Sequence, residues 1–250
     1  MKKLTLISLL AVLTLPLTAK ADFLGLYVGG GVWQHAPSGG IGYNDTINAD
    51  LAGDLKLKGA SESYYYVAFE HPVPLIPNYK YVSTTNTNKG SGTITTSFNF
   101  GGVTYDAAST VDSVLNLNTT SHIIYYEILD NIVSVDVGLA GIQVTGTASA
   151  TETGGGNNTT TVNINQMIPT GYYSVGATLP LTGLSVQYEQ SILGIAGNEV
   201  SDTVVKVMYE MGSTLGLEAG TRSQVIKLNV SGLKTTMTFA GVFAGVYLHF

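Results

Sequence analysis

Apolar and polar residues alternate along most of the chain beyond residue 22, in segments rich in β-branched and aromatic side chains. A period of two predicts β-strands, and the segments end at Gly, Pro, Asn or Asp, which favour turns. This region shows no amphipathic helical period. Ten strands are therefore predicted, over residues 23–36, 61–71, 79–87, 114–128, 132–146, 166–179, 184–195, 202–211, 215–230 and 235–250.

The connections between these segments alternate in length. Short turns are predicted at residues 72–78, 129–131, 180–183 and 212–214, and longer polar connections at 37–60, 88–113 and 147–165, with briefer links at 196–201 and 231–234. Short turns on one rim and long loops on the other are typical of an up-and-down antiparallel transmembrane β-barrel. An even strand number then places both termini on the periplasmic side. A soluble β-sandwich or lipocalin-like barrel is the alternative, although the turns show no Greek-key crossover.

The last predicted strand, residues 235–250, ends in an alternating segment, residues 242–250, whose final residue is the aromatic Phe250. Together with an export signal, this predicts an integral protein of the outer membrane of a Gram-negative bacterium. Gly245, Leu248 and Phe250 are predicted to form the signal that the barrel-assembly machinery reads. The parity of the strand turns Phe239 and Phe243 inward, which predicts either a filled, aromatic lumen or a bulge that switches the faces.

The N-terminus carries the three parts of a secretion signal. Lys2 and Lys3 precede an apolar stretch over residues 4–17, and Ala19-Lys20-Ala21 matches an A-x-A cleavage site. Residues 1–21 are therefore predicted to be a cleaved signal peptide, and residues 22–250 a barrel domain with long extracellular loops. An uncleaved N-terminal anchor is the alternative.

Composition narrows the classes of function. Charged residues make up 11% of the chain, against ~25% in an ordinary soluble domain, so part of the surface is predicted to face something other than water. The formal net charge of −6 would become −9 after loss of Lys2, Lys3 and Lys20, which argues against a nucleic-acid partner. The chain has no cysteine, which excludes disulfides and thiolate chemistry.

Several strands carry a charged residue among alternating apolar neighbours. Asp136, for example, lies opposite Val135, Val137 and Leu139 in the strand period, so it is predicted to face the lumen while the apolar side faces lipid. The same reasoning predicts a lumenal polar network. Its members are Glu70, Glu127, Asp136, Glu189, Lys206, Glu210, Glu218 and Arg222. A polar interior that sets the strand register is the main interpretation, a cation-selective or proton-sensitive path is the second, and catalysis is the third.

Aromatic residues recur near the predicted strand ends and are interpreted as membrane-interface girdles, with a sugar-binding stripe as the alternative. No zinc-binding histidine pair and no G-x-S-x-G nucleophile motif is found in the sequence. His35, beside a predicted loop with Asp45, Asp50 and Asp54, is the one candidate for a rim enzyme such as a protease or lipid-modifying enzyme. The aspartate spacing does not match a calcium-binding loop. No metal, cofactor or catalytic residue is therefore predicted.

The residues also resemble a known family. Ala21-Asp22-Phe23-Leu24-Gly25-Leu26-Tyr27, Glu70-His71-Pro72-Val73-Pro74 and Tyr125-Tyr126-Glu127-Ile128-Leu129-Asp130-Asn131 are similar to a family of uncharacterised proteobacterial outer-membrane β-barrel proteins. The segments Leu179-Pro180-Leu181-Thr182-Gly183-Leu184 and Gly216-Leu217-Glu218-Ala219-Gly220 with Arg222 are similar as well. The resemblance implies the fold and the location, and it transfers no catalytic residue.

These observations predict a non-enzymatic integral outer-membrane barrel with a structural or surface-binding role. The expected partners are outer-membrane lipid, lipopolysaccharide and the barrel-assembly machinery, with an unknown surface ligand. A narrow cation-selective channel or small-solute porin is the second hypothesis, and a rim enzyme is the third.

Overall fold

A computed structural model of the protein describes residues 24–43, 46–73, 75–153, 156, 158–195, 198–230 and 233–250. The predicted signal peptide, residues 1–21, lies outside the described residues. No helix in the described part of the chain is long and apolar enough to cross a membrane.

The described residues form strands joined by turns. The strands are β1 (Gly25–Tyr43), β2 (Thr46–Asp50), β3 (Ala60–Glu70), β4 (Asn78–Thr84), β5 (Thr87–Thr93), β6 (Phe98–Phe100), β7 (Val103–Tyr105), β8 (Thr110–Asp130), β9 (Val133–Thr153), β10 (Thr159–Leu179), β11 (Leu184–Ile195), β12 (Asn198–Met211), β13 (Leu215–Val230) and β14 (Leu233–His249). All pairings are antiparallel.

The strands close into a barrel whose wall has ten strand positions, which we call staves. Neighbours run from β14 through β13, β12, β11, β10, β9 and β8 to β4, β3 and β1, and β1 pairs in turn with β14. Strands β4 and β5 both pair with β8 and together make one stave, interrupted at residues 85–86. The predicted all-β, up-and-down antiparallel barrel of about ten strands is confirmed. Closure satisfies the backbone hydrogen bonds of every stave without leaving a free edge.

The barrel has two distinct rims. The rim that holds Leu24 and Phe250 also carries the turns 71–77, 131–132, 180–183 and 212–214, and we call it the terminal rim. The opposite rim, called the far rim, carries the longer connections, including β2 and the β6–β7 hairpin. The seam between β1 and β14 is paired without a register shift from Tyr27↔His249 to Tyr43↔Leu233. No bulge switches the faces of β14. Of the two alternatives predicted for this strand, a filled aromatic lumen or a bulge, the structure therefore supports the filled lumen.

Several strands are longer than predicted. β1 continues to Tyr43, β5 and β8 pair between Thr87↔Asn116 and Thr93↔Thr110, and β9 and β10 pair as far as Thr159↔Thr151. The expected long loops at residues 37–60, 88–113 and 147–165 are therefore partly strand. These segments are rich in Thr, Asn and Gly, and that composition was mistaken for loop.

The outer wall divides into two zones. Near the terminal rim it carries exposed apolar side chains on every stave, which we call the apolar belt. The belt includes Leu26, Val28, Tyr65, Phe69, Tyr79, Ile124, Tyr126, Val137, Leu139, Tyr173, Val175, Val186, Val205, Val207, Tyr209, Leu217, Val242, Val246, Leu248 and Phe250. From Val242 in β14 to Phe250, the residue after this strand, the chain rises about 27 Å at ~3.4 Å per residue. A tilt of ~40° makes this about 21 Å along the barrel axis, close to the ~25 Å apolar band of membrane barrels.

Toward the far rim the distribution of apolar and polar side chains between the outer and inner faces of the wall is reversed. There the outer wall carries polar side chains such as Gln143, Thr145, Asn163 and Asn165, while most of the large side chains on the inner face are apolar. Among the most buried inner residues are Ile41, Leu51, Phe100, Tyr105, Leu115, Leu117, Ile142, Val144, Ile226, Leu228, Met237 and Phe239. This half of the barrel therefore has an apolar core and a polar outer surface suited to contact with water, as a soluble protein has.

The β6–β7 hairpin lies within the far mouth. Phe98, Phe100 and Tyr105 are buried in the apolar core, and the hydroxyl of Tyr105 donates to the carbonyl of Ala150 at 2.8 Å. Gly101 at the hairpin tip lies against Thr160 of β10. The hairpin and the core beneath it fill the far half of the lumen.

Candidate functional site

A buried cluster of charges crosses the lumen in the half that the apolar belt surrounds, and we call it the ionic layer. Glu189 of β11 is its centre. One carboxylate oxygen binds Lys80 of β4, and the other lies 3.0 Å from the ammonium nitrogen of Lys206 on β12. All three side chains are buried. A buried charge costs free energy unless it is paired. Here one carboxylate pairs with two ammonium groups, so each of the three buried charges has a counter-ion.

Glu218 of β13 completes the ionic layer. Its Oε2 lies 3.5 Å from Nζ of Lys206, and its Oε1 accepts a 2.6 Å hydrogen bond from the hydroxyl of Tyr64. The hydroxyl of Tyr66 donates to the same carboxylate at 3.2 Å. Two lysines thus face two glutamates, and neutral tyrosine donors occupy the remaining acceptor positions.

The ring of Tyr66 supports both lysines. The Nζ atoms of Lys80 and Lys206 each lie 5.4 Å from the ring centroid, within the range of a cation–π interaction. The ring lies against Gly29 of β1, where an added Cβ would be 2.4 Å from Tyr66 Cζ. Gly29, which has no side chain, therefore makes room for this ring.

A second ion pair lies on the far side of the ionic layer. Nε and Nη2 of Arg222 donate to the two carboxylate oxygens of Asp202 at 2.9 and 2.6 Å, a bidentate geometry. Nη1 donates to Thr84 at 2.8 Å, and the guanidinium lies 5.1 Å from the ring centroid of Trp33. Gln224 donates to Asp202 at 3.0 Å. A small cavity of about 60 Å³ lies between the two groups of charges.

On the other side, a larger cavity of about 300 Å³ lies just inside the terminal rim, and we call it the vestibule. Asn131 and Gly183, from two of the short turns, line its outer end, and Lys80 and Lys206 line its inner end. Its wall carries five carboxylates, those of Glu70, Glu127, Asp130, Asp136 and Glu210. Five tyrosines share the wall, namely Tyr27, Tyr66, Tyr125, Tyr172 and Tyr247.

The eight residues predicted for the lumenal network fall into three places. Glu189, Lys206 and Glu218 lie in the ionic layer, and Arg222 lies beyond it with Asp202. The other four line the vestibule, and these are Glu70, Glu127, Asp136 and Glu210. The structure therefore separates a paired interior group from an acidic group near the terminal rim.

Sequence reasoning missed two members of the network. Lys80 lies between Tyr79 and Tyr81, so the period of two turns it inward, and this signal could have identified it. Asp202 was placed at the first position of a predicted strand, but β12 begins at Asn198 and carries Asp202 inward.

His35 does not lie on a rim. Its side chain is 2% exposed inside the barrel, and its Nε2 lies 2.8 Å from Oδ1 of Asn86. The carboxylates of Asp50 and Asp54 accept hydrogen bonds from backbone amides of the turn that follows β2. Asp45 lies outside the described residues. The expected rim position of His35 is therefore wrong, and the two described aspartates stabilise a turn.

The residues predicted as an assembly signal lie on both faces of β14. Leu248 and Phe250 are exposed on the apolar belt, with Phe250 60% exposed. Gly245 faces inward, where an added Cβ would be 2.4 Å from the hydroxyl of Tyr64. The backbone of Phe250 also pairs with Leu26 through two 3.0 Å hydrogen bonds, which close the seam at the terminal rim.

Comparison with known proteins finds likeness at the level of structure. No protein-family model matches the sequence, and no curated protein matches it. The chain is similar to Neisserial surface protein A, at 13% identity and a TM-score of 0.35, over 89% of this chain and 96% of that one. It is also similar to the translocator domain of the autotransporter NalP from Neisseria meningitidis, at 12% identity and a TM-score of 0.40, over 98% of this chain and 96% of that one.

A third similar structure is the outer membrane protein OprG from Pseudomonas aeruginosa, at 9% identity and a TM-score of 0.29, over 90% of this chain and 95% of that one. Of the three, OprG is described as an outer membrane protein. Since each TM-score lies below 0.5, these likenesses carry no conclusion about the role of this chain. No sequence family is identified.

Proposed function

We propose that the protein is a non-enzymatic, non-conducting barrel of the bacterial outer membrane, with a structural or surface-binding role. The observation that carries this proposal is the inversion of the barrel wall. Near the terminal rim the wall is apolar outside and charged inside, and near the far rim it is polar outside and apolar inside. A wall of this kind suits a barrel that spans a membrane with one half and projects into water with the other.

The contents of the lumen favour a closed barrel over a channel. A solute that entered at the terminal rim would meet the ion pairs of Glu189 and then those of Arg222. Beyond them it would meet an apolar core whose residues, such as Phe239, Leu117 and Val144, are fully buried. Ion conduction requires a continuous polar or hydrated path, and this core interrupts it. A narrow cation-selective channel or small-solute porin remains the second candidate, because carboxylates line the vestibule.

The interior also supports the non-enzymatic part of the proposal. The ring of His35 lies tilted against Trp33, with ring centroids 4.3 Å apart, and is hydrogen-bonded to Asn86, so it is not placed to activate a nucleophile at the surface. The far rim, with its polar outer wall, is then the surface that faces the outside of the cell. Lipid and lipopolysaccharide would contact the apolar belt and the polar zone above it.

The proposed orientation places both termini and the short turns in the periplasm. The C-terminal strand would reach the barrel-assembly machinery there, with Leu248 and Phe250 on the outer face and Gly245 inside as its recognised features.

Since the chain has no cysteine, single-cysteine variants test the placement of the wall. Asn163→Cys on the polar outer wall should react with a membrane-impermeant maleimide in intact cells, and Ser213→Cys in a short turn should react only after the outer membrane is permeabilised. Val246→Cys on the apolar belt should be shielded by lipid in both conditions. Reaction of Ser213→Cys in intact cells would overturn the orientation, and reaction of Val246→Cys with an aqueous reagent would overturn the membrane placement.

A further inference from the structure

The vestibule wall carries more carboxyl groups than the barrel pairs with cationic side chains. Lys80 and Lys206 are the lysines that line it, and their ion pairs go to Glu189 and Glu218 in the ionic layer. Among the carboxylates of the vestibule wall, Glu210 lies 3.4 Å from Nδ1 of His249, and the others are left to uncharged partners. Glu70, for example, accepts a 2.7 Å hydrogen bond from the uncharged hydroxyl of Tyr125. A cleft that is lined by charges of one sign and enclosed by a low-dielectric wall concentrates ions of the opposite charge.

One polar group on this wall has no protein partner. The side chain of Tyr247 is 6% exposed and lines the vestibule, and its hydroxyl forms no hydrogen bond within the described part of the chain. Its ring lies against Gly216, which has no side chain to displace it. The side chain is buried in the wall while it borders the cavity, so a partner for this hydroxyl can come only from the cavity. The phenol oxygen of Tyr247 is therefore available to accept an N–H group from a ligand in the cavity.

The arrangement of the carboxylates selects among cations. Within the described residues no group of three or more His, Asp or Glu side chains is placed closely enough to hold a metal ion. The acids are instead distributed around a cavity of about 300 Å³, the lower end of the ~300–1,000 Å³ range of small-molecule sites. Tyrosine rings lie between them, and such rings bind ammonium groups and the methylene chains that connect them.

We propose that the vestibule is a binding site for a linear polyamine that enters from the terminal rim. Its ammonium groups pair with carboxylates such as Glu70, Glu127 and Asp136, and its methylene segments lie on the tyrosine rings. The hydroxyl of Tyr247 accepts one N–H group. The ionic layer forms the floor of the site, because its lysines and glutamates are already paired with each other and their side chains block the lumen.

Isothermal titration of spermidine into the purified full-length protein in detergent, at about 0.15 M salt, tests the proposal. We expect saturable one-to-one binding. The double variant Glu70→Gln/Asp136→Asn should weaken it at least tenfold, and Tyr247→Phe should weaken it a few-fold. Glu199→Gln is the matched control, because it also removes one carboxylate but lies on the polar outer wall, paired with Lys227. It should bind spermidine like the unaltered protein.

Each variant is first checked for folding by its heat-sensitive shift in electrophoretic mobility. If the double variant does not fold, Glu70→Gln alone, with a threefold or greater loss expected, takes its place. Binding that is equal in the vestibule variants and the control would overturn the proposal. So would equally tight binding of 1,8-octanediol, a chain of similar length without charge, or full displacement of spermidine by Mg²⁺ at equal ionic strength. The site is independent of conductance, so an open channel that still binds spermidine would contradict the proposed function and not this inference.

Discussion

Glu189 and Lys206 face each other across the pair of strands β11 and β12, with Oε1 and Nζ 3.0 Å apart inside the barrel. The second carboxylate oxygen of Glu189 binds Lys80, whose strand lies on the other side of the lumen. One side chain therefore connects two separate parts of the wall. Its loss would leave two buried ammonium groups without their main counter-ion.

Glu189→Gln should lower the free energy of unfolding by about 3 kcal/mol, in the range measured when one partner of a buried ion pair is removed. Denaturant titration of the protein in lipid vesicles would measure the loss. The matched control is Glu199→Gln, in the half-exposed pair with Lys227, which should cost less than ~1 kcal/mol. Similar losses for the two variants would mean that the ionic layer does not stabilise the barrel.

Phe239→Ala should destabilise the barrel by about 3 to 5 kcal/mol, because Phe239 is fully buried in the far half and its removal leaves a cavity. Phe69→Ala removes the same side chain from the apolar belt, where it is 41% exposed and lipid or detergent can fill the space. We expect a clearly smaller loss for Phe69→Ala in the same unfolding measurement. If Phe239→Ala were the milder change, the far half would not be a packed core.

Gly29→Ala should cost about 1 to 3 kcal/mol, because the added methyl group would overlap the ring of Tyr66 and move it away from both lysines. Gly171→Ala provides the control in another strand, since the nearest atom to its added Cβ is Ile192 O at 3.6 Å, an ordinary contact. Thermal unfolding in detergent would compare the two variants. A Gly29→Ala protein as stable as Gly171→Ala would show that Tyr66 can be displaced freely.

Leu181→Gly should stabilise the protein by up to about 1 kcal/mol. Leu181 lies in the turn between β10 and β11 with a φ of 66° and is fully exposed, so glycine would relieve strain without removing a contact. The neighbouring Leu179→Gly, within β10, should instead cost about 0.5 to 1 kcal/mol. A loss of stability in Leu181→Gly under denaturant titration would indicate that the exposed leucine makes a stabilising contact with lipid.

The strand period predicted the barrel and the inward position of residues such as Asp136 and Glu218, because side chains alternate between the two faces of a strand. The prediction from the strand period failed where the two faces of the wall exchange their apolar and polar side chains. Beyond Gly141 in β9, outward positions become polar while Val144 and Ala148 face the core, and the higher content of Thr and Asn is typical of loops although the segment is a strand.

The cross-lumen contacts could not be predicted in the same way. Lys80 and Glu189 are 109 residues apart, and their contact depends on the width of the barrel and the register of all its strands. Alternation assigns a face to each side chain but does not give its height or its partner across the lumen. The split between the paired ionic layer and the acidic vestibule therefore emerged from the structure.

Single-channel recording in planar lipid bilayers measures most directly whether the lumen is closed. We expect the purified protein, inserted as judged by its heat-sensitive electrophoretic mobility, to give no reproducible conductance steps over a range of voltages. A variant that lacks the hairpin residues 94–109, which cover the far mouth, serves as a comparison and should show a higher frequency of openings. Reproducible cation-selective steps from the unaltered protein that disappear in Glu189→Gln would contradict the closed barrel and establish a channel.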